Sequence, residues 1–505
     1  MSQAPPPSAS RISRVVRGCA AVSGWVFLWA GLTLLIASLG IRVFYGKISL
    51  DQLLLNLIAV RTDGGGGAGL VWAAIIVIGV APIAVTLLLA LRRARRARRA
   101  RDAGRRRWSA SIGVVLTLAV ATAGVSAFAT TIKLPDYVRS ASNTADIGDY
   151  YSPPVVTDSS HAHNLVVIYL ESGEETLEDP SVTEKNPYAA LNEATSDFGS
   201  VDELTQYVGG GWTMAGLVST QCGLPLKGIV AASGGDIIDD LSGGLSSYLP
   251  GATCAGEVLA DHGYHNVFMG GANGAFAAKG LFLEDHGYGV ELDLEHWREL
   301  GEREEDIRSD WGLSDERLMA HAIEQVDELH DDYVDTGQLF SLGLLTLDTH
   351  EPAHAYDYCP IDTENEMTSI YACSMEQVAS LIDHMRDEGY LDDTAVVIMG
   401  DHLKQIGVAS SFHSALAERD DRTIYNRVWV PGGTPALRES VDQLSMYATL
   451  LEAAGLELAD GVAGLGVSAF ETGFPAGSAL ALDPSSYHGL LKARSDEFYQ
   501  DVWGH

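Results

Sequence analysis

Three long apolar blocks dominate the first part of the chain, at residues 20–41, 69–91 and 109–131, and none contains Asp, Glu, Lys or Arg. Unbroken apolar runs of this length match the hydrocarbon thickness of a bilayer and predict three transmembrane helices. The run at 48–60, ISLDQLLLNLIAV, is shorter and polar at its start, which predicts an interfacial or re-entrant amphipathic helix instead of a span. After residue 131 the pattern changes. Residues 132–160 are polar with little periodicity and read as a linker. From 161 to 482, apolar runs of strand length (NLVVIYL at 164–170, HNVFMGG at 265–271, LFSLGLLTL at 339–347, TAVVIMG at 394–400) alternate with helical patterns. One such helix, over 315–329, carries Leu318, Met319, Ala322, Ile323 and Val326 on one face. Runs that are apolar throughout, separated by helices, predict an α/β domain whose mostly parallel sheet is covered by helices on both faces. Residues 483–505 alternate acidic and aromatic character and are expected to form a tail packed on the outside. No repeat of 20–50 residues is visible.

Charge divides the chain at the same place. Residues 1–108 hold 16 Lys and Arg against 3 Asp and Glu, while the remainder holds 17 against 64, so a front of plus 13 precedes a body of minus 47. The basic residues concentrate in RRARRARRARDAGRRRW at 92–108, with ten arginines, and at Arg11, Arg14 and Arg17. An arginine run between two spans is a topology signal before it is a nucleic-acid patch. The positive-inside rule places the N-terminus and this loop in the cytoplasm. The expectation is a multi-pass protein of the cell membrane with the lipid bilayer as its partner and its C-terminal domain extracytoplasmic. A net charge of minus 34 excludes nucleic acid as a partner, because phosphate rewards the opposite sign. A cleaved signal peptide is not expected at the N-terminus. Ala127-Phe128-Ala129 resembles a signal-peptidase site and leaves release after Ala129 open.

The cysteines agree with that topology. Cys19 lies at the cytoplasmic edge of the first span, whereas Cys222, Cys254, Cys359 and Cys373 fall on the side where disulfides persist. Three pairings are possible, and loop closure favours Cys222 with Cys254 and Cys359 with Cys373. None of the four belongs to a C-x-x-C pair, which speaks against a cysteine metal site.

In an open parallel α/β sheet, ligands bind beyond the carboxyl ends of the strands. Glu171 directly follows the first run, Asp348 and His350 follow the third, Asp401 and His402 follow the fourth, and the second ends in glycines and Asn273. One such carboxylate alone is a helix cap or a solvated loop residue. Several together with an imidazole offer the oxygen and nitrogen donors that suit a divalent cation such as Mn, Mg or Zn. The segment TQYVGGGWTMAGLVSTQCGLPL at 205–226 runs from a glycine loop into a predicted helix beginning at Thr213. Backbone N–H groups at such a terminus favour anions, and a threonine hydroxyl held there on a metal can lose its proton and attack phosphorus or sulfur. Thr213 taken alone reads equally as a cap.

These motifs, in the order Glu, Thr, Asp-His, resemble the phosphoglycerol transferases of the alkaline phosphatase and sulfatase superfamily: the lipoteichoic acid synthases and, more closely, the branch that decorates periplasmic glucans. The resemblance runs from the spans to about residue 470 and rests on NLVVIYLES at 164–172, GWTMAGLVSTQCGLPL at 211–226, GANGAFAAKGLFLEDHGY at 271–288, WGLSDE at 311–316, LTLDTHEP at 345–352 and GDH at 400–402. It implies an alkaline phosphatase/sulfatase-like fold. It also implies one divalent ion, typically manganese or magnesium, held by Glu171, Thr213, Asp401 and His402, with Thr213 as the nucleophile. His350 then contacts the substrate phosphate or the leaving group, and Asp348 either orients His350 or simply ends its strand. Lys279 corresponds loosely to a glycerol-phosphate-binding cation, since Ala277-Ala278-Lys279 stands where the synthases have a Trp-Asn-Arg type of sequence. Trp212, Asn273 and His413 are further candidates for lining the pocket.

The implied reaction transfers glycerol phosphate from a phosphatidylglycerol donor, through a covalent threonine adduct, to a hydroxyl of an envelope acceptor: a glycolipid, polyglycerol phosphate or glucan. Phosphoethanolamine transfer and a sulfatase-like hydrolysis are the rival activities, and a catalytically silent module binding an envelope polymer is the rival outside enzymology. The sulfatase rival needs a C/S-x-P-x-R motif, which GWTMAGL lacks.

Overall fold

The computed structural model describes residues 9–58, 72–102, 108–229 and 245–504. It falls into two compact units, one holding residues 1–48 and 69–135 and the other residues 49–68 and 136–505.

The first unit is helical. Helix α1 spans Ala9–Phe44, α3 spans Ala81–Asp102 and continues a wider π-type stretch at Ile75–Val80, and α4 spans Trp108–Thr131. Among the described residues, three segments are long and apolar enough to cross a membrane: Ala21–Phe44, Trp72–Arg96 and Gly113–Thr131. The predicted start of the second, residues 69–71, lies outside the described residues. Helices α1 and α4 touch backbone to backbone, since a Cβ on Gly31 or Gly124 would collide with the other helix. At the end of that contact the Arg42 guanidinium donates to the hydroxyls of Thr131 (2.6 Å) and Thr130 (2.8 Å). A side chain otherwise costly near hydrocarbon is satisfied in this way.

The short amphipathic segment forms helix α2, Leu50–Ile58, and belongs to the second unit. Leu55 is buried in that unit's core, and Asp51 Oδ1 accepts a hydrogen bond from the Gly228 N–H at 3.1 Å. Its moderate length and apolar face are thus used by the body.

The body is built on a six-stranded sheet: β1 (Asn164–Leu170), β2 (His265–Gly270), β3 (Val290–Leu292), β4 (Phe340–Leu345), β5 (Thr394–Gly400) and β6 (Asn426–Trp429). The order is β3-β2-β4-β1-β5-β6, parallel throughout except for the antiparallel edge strand β6. Alternate side chains explain why the strands are apolar throughout. Leu165, Val167 and Tyr169 enter one core layer; Val166, Ile168 and Leu170 enter the other. The first layer is closed by α5 (Thr213–Cys222) and α8 (Ser445–Ala453), the second by α6 (Asp315–Thr336) and α7 (Glu366–Asp387). The sheet sandwiched between helices is therefore the predicted one.

The segment read as a linker is laid along the body. Ile147 is fully buried with its N–H on Ser495 Oγ, and Val156–Asp158 pairs with Glu457–Leu458. The expected outer tail is also part of the core. Asp483 caps α9 (Pro484–Lys492), α10 (Asp496–Val502) follows, and Tyr499, Val502 and Trp503 are buried. Its aromatic residues, not its acids, decide its place. Disulfides join Cys222 to Cys254 and Cys359 to Cys373. Cys19 lies within α1.

Candidate active site and metal centre

The sheet brings three strand ends together. In register, Leu170 of β1 pairs with Gly400 of β5, and Tyr169 pairs with Leu345 of β4, so the residues that follow emerge side by side. The Glu171 N–H donates to Thr346 Oγ1 (2.9 Å) and the Asp401 N–H to the Leu170 carbonyl (3.1 Å). The backbones of Gly173 and Gly400 touch, and a Cβ on Gly400 would collide with the Gly173 carbonyl. Ser172 turns the chain in the left-handed region at φ 55°. Its N–H donates to Asp401 Oδ1 and its hydroxyl to Glu171 Oε1, both at 2.8 Å, while its carbonyl accepts from Tyr371 Oη at 2.9 Å. A non-glycine residue is held in that conformation only where its surroundings over-determine it. Here three bonded partners tie the two carboxylates into one geometry.

Glu171, Asp401 and His402 form a buried cluster. His402 Nε2 lies 3.5 Å from Asp401 Oδ2 and 3.9 Å from Glu171 Oε1. His402 Nδ1 is 2.8 Å from the Leu403 carbonyl, which assigns the proton of the neutral ring to Nδ1 and leaves the Nε2 lone pair facing the acids. Asp401 Oδ1 accepts from two backbone N–H groups, but Oδ2 is buried without a hydrogen-bond partner. Burial of Asp401, with the Glu171 charge beside it, pushes that carboxyl up to about 7 against the pull of His402. Burial also pushes Glu171 upward, but His350, His402, the Ser172 hydroxyl and Lys404 together hold the group below its ordinary value. For His402 burial acts downward, and the two carboxylates reverse the direction. An orphaned carboxylate oxygen, a second carboxylate and an imidazole with its lone pair turned inward fit a divalent cation.

Helix α5 delivers the hydroxyl. Trp212, extended, occupies the N-cap position, so Thr213 is the first helical residue and is not the cap. Its Oγ1 lies 3.4 Å from Glu171 Oε2. The helix approaches the strand end so closely that a Cβ on Gly216 would collide with the Asp401 carbonyl, which is also held by Gln443 Nε2 at 2.8 Å. Glycine at 216 is thus what lets the helix N-terminus reach the cluster.

His350 lies on the loop after β4. Its Nδ1 is 2.7 Å from the Glu351 carbonyl, and its ring packs on Trp311 with centroids 3.7 Å apart. Burial pushes the imidazole down, opposed by the charge of Glu171. Asp348 does not orient this ring. Its Oδ2 accepts from the Asp315 N–H (3.1 Å) and from Tyr358 Oη (2.8 Å). Two cations that sequence reasoning passed over hold this loop. Arg308, 2% exposed, donates to the carbonyls of Asp348, His350 and Pro352. Lys404, also 2% exposed, places Nζ 2.7 Å from the Thr349 carbonyl and 3.5 Å from Glu351 Oε1, and Thr349 Oγ1 donates to the Glu171 carbonyl at 2.6 Å. Lys404 sits two residues past His402 and carried a signal that was open to reading; Arg308, in an irregular stretch, carried none.

The remaining candidates have partners of their own. Lys279 is buried at the start of a short helix, after Ala277 and Ala278 in left-handed conformation, with Glu291 and Asp293 as its acidic neighbours. Asn273 holds its own turn through Ala275 N–H and donates to Glu295. Trp212 is buried in the core layer beneath α5. His413 Nδ1 faces the Ile406 carbonyl within its own loop. A second group, Cys254, Glu257 and His286, has metal-like spacing, but the Cys254 sulfur is in a disulfide and His286 is bonded to Glu257 and the Tyr248 carbonyl.

Residues 250–456 match the family model described as Sulfatase. Phosphoglycerol transferase I of Escherichia coli strain SMS-3-5 is 32% identical over 308 residues, covering 57% of this chain and 37% of that protein. The enzyme of the same name from Shigella boydii gives the same figures. The chain thus spans little more than a third of the length of these relatives. An alkaline phosphatase superfamily protein from Vibrio parahaemolyticus superposes with a TM-score of 0.52 at 18% identity, over 73% of this chain and 96% of that one. Residues 250–456 thus match a sulfatase model, the body shares the fold of the Vibrio protein, and the chain resembles phosphoglycerol transferases in sequence.

Proposed function

We propose that the chain is a membrane-anchored phosphotransferase that moves glycerol phosphate from phosphatidylglycerol to a hydroxyl of an extracytoplasmic envelope acceptor, by way of an ester on Thr213. The observation that carries this reading is the placement of Thr213 Oγ1, at the N-terminus of α5, against Glu171 in a buried Glu-Asp-His cluster. The resemblance to phosphoglycerol transferase I supports the choice of transferred group. A divalent cation held by Glu171, Asp401, His402 and Thr213 would lower the pKa of the hydroxyl and neutralise charge on the phosphoryl oxygens.

The chain's own groups account for the rest. Thr213 Oγ1 forms a bond to phosphorus as the bond from phosphorus to the diacylglycerol oxygen breaks, and the threonine proton passes to solvent water. Free N–H groups in the first turn of α5 face the phosphoryl oxygens. His350 keeps a proton on Nδ1 through the Glu351 carbonyl, which leaves Nε2 to give a proton to the departing oxygen and later to take one from the acceptor hydroxyl. In the second step the acceptor oxygen bonds to phosphorus, the threonine ester breaks, and Thr213 Oγ1 takes a proton back from solvent water. Arg308 and Lys404 fix the loop that carries His350.

The test is to incubate the full chain in vesicles of phosphatidylglycerol labelled in its headgroup, with Mn²⁺ or Mg²⁺. The expected result is diacylglycerol release together with a glycerol-phosphate adduct mapped to Thr213. Absence of a cation-dependent adduct overturns the reading, and an ethanolamine-phosphate adduct from phosphatidylethanolamine assigns the rival donor.

A further inference from the structure

The loop that carries His350 rests on a pair of buried acids, and both acids are held by neighbours of one disulfide. Asp315, the first residue of α6, accepts the Leu347 N–H at Oδ1 (2.7 Å) and the Asp348 N–H at Oδ2 (3.1 Å). Asp348 returns the bond through Oδ2 to the Asp315 N–H. The end of β4 is thereby clamped to the start of α6 by reciprocal carboxylate contacts, two residues before His350. Two hydroxyls complete the arrangement. Ser374 Oγ donates to Asp315 Oδ2 at 2.6 Å, and Tyr358 Oη donates to Asp348 Oδ2 at 2.8 Å. Ser374 directly follows Cys373 on α7, Tyr358 directly precedes Cys359, and these two cysteines are joined. Both are buried. The disulfide therefore ties together the two segments whose hydroxyls hold the two acids.

We propose that the Cys359–Cys373 disulfide is a positioning clamp for His350, acting through Tyr358 and Ser374 on the Asp315–Asp348 pair, and that its reduction by a dithiol releases His350 and lowers turnover. The consequence for turnover rests on the role given to His350 above. The release of His350 does not. Reduction proceeds by two exchanges. A dithiol thiolate attacks one sulfur to give a mixed disulfide and free one cysteine, and the second thiol then displaces the other sulfur. Two electrons and two protons pass to Cys359 and Cys373, and the dithiol leaves as its own disulfide. Thr213 and the Glu171 cluster, at the start of α5 and just past the ends of β1 and β5, make no hydrogen bond to Tyr358, Ser374, Asp315 or Asp348 among the described residues and meet the loop through the Thr346 and Thr349 hydroxyls, so the effect falls more on proton transfer than on substrate capture. Positioning effects of this kind amount to roughly tenfold or more.

The experiment uses the full chain in vesicles with two readouts: turnover of labelled phosphatidylglycerol, and the rate at which diethyl pyrocarbonate modifies His350, mapped by peptide mass spectrometry. The second readout does not depend on the donor. In Y358F, S374A and the double variant C359S/C373S, kcat is expected to fall roughly tenfold with KM within about twofold, and His350 to be modified faster. S374T, which keeps the hydroxyl, retains activity. Dithiothreitol brings the wild type to the level of the double variant and leaves the double variant unchanged. Unaltered His350 modification in Y358F and in the double variant overturns the clamp. So does an equal further loss on adding dithiothreitol to the double variant, since the Cys222–Cys254 bond would then be responsible. A wild type that forms no Thr213 adduct while its His350 responds to reduction refutes the transfer reading and leaves the clamp standing.

Discussion

Thr213 Oγ1 lies 3.4 Å from Glu171 Oε2, and Trp212, not Thr213, occupies the cap position of the helix. A capping threonine would spend its oxygen on the backbone N–H groups of its own first turn. This one is turned to a carboxylate 42 residues earlier in the chain. Thr213→Ala should therefore abolish the covalent adduct and reduce turnover on the order of 10⁴-fold. Thermal stability should change by less than about 1 kcal/mol, because the side chain is half-buried and caps nothing. Thr213→Ser should retain an adduct. An alanine variant that still releases diacylglycerol would remove Thr213 from the mechanism.

The orphaned Asp401 Oδ2 gives a test that needs no substrate. A cation that binds only the folded chain stabilises it by about 2.7 kcal/mol when present at a hundred times its Kd. Chelated protein should gain a higher Tm on titration with Mn²⁺ or Mg²⁺, and Asp401→Asn should lose most of that gain. Equal shifts in both proteins would place the cation elsewhere.

His350 predicts the acid side of the pH profile. Burial holds its imidazole below the ordinary value of about 6.5. Where the second step, in which Nε2 takes the acceptor's proton, limits turnover, kcat rises with pH through a value under about 6.5. His350→Gln should remove that limb and cost roughly 10²–10⁴-fold in kcat. A profile whose acid limb survives the substitution would assign it to another group.

The sheet and the metal-like triad were legible because both depend on local pattern. A strand buried on both faces must be apolar throughout, and polar residues at its carboxyl end stand out against it, as Glu171 and the Asp401-His402 pair do. Thr213 was legible through the glycines before it. Arg308 was not, because its role is to donate to the carbonyls of Asp348, His350 and Pro352, and carbonyls carry no residue identity. Ser172 was hidden for a similar reason: its strained φ is held by three hydrogen bonds, two of them to residues distant in the chain. Lys279 illustrates the reverse. The resemblance made it a loose match to a glycerol-phosphate-binding cation, and the fold gives it Glu291 and Asp293 as acidic neighbours, which no local pattern announces. The place of the tail was not legible because acidic and aromatic residues alternate along it, and only the fold shows Tyr499 and Trp503 entering the core.

Arg308 supplies a further prediction. Its guanidinium serves three carbonyls and Asp310 from a buried position, a fan that an ammonium group cannot reproduce. Arg308→Lys should destabilise the body by about 2–5 kcal/mol, since buried polar groups lose their partners. It should also lower kcat more than it raises KM, because the loop it holds carries His350. A Tm within a degree or two of wild type would show that water replaces the lost donors.

The Asp315–Asp348 pair makes stability depend on pH in a direction that separates it from ordinary surface acids. Burial raises both carboxyls, and for Asp348 the adjacent Asp315 charge adds to it. A group whose folded pKa exceeds its unfolded value of about 3.9 contributes its full stability below that value and loses it as pH rises through the folded pKa. Most carboxylates in ion pairs, such as Glu302 beside Arg317 and His321, act in the opposite sense and lose stability as pH falls. Asp348→Asn keeps an acceptor for Tyr358 and for the Asp315 N–H while removing one of the two titrations. The difference in unfolding free energy between wild type and Asp348→Asn should therefore shift in favour of the variant as pH rises above about 4, with a slope of up to about 1.4 kcal/mol per pH unit while one proton is being lost. Denaturant unfolding of the full chain at several pH values measures this directly. Parallel curves for the two proteins would mean that the pair is not raised and that the acids at the foot of the His350 loop are ionised together.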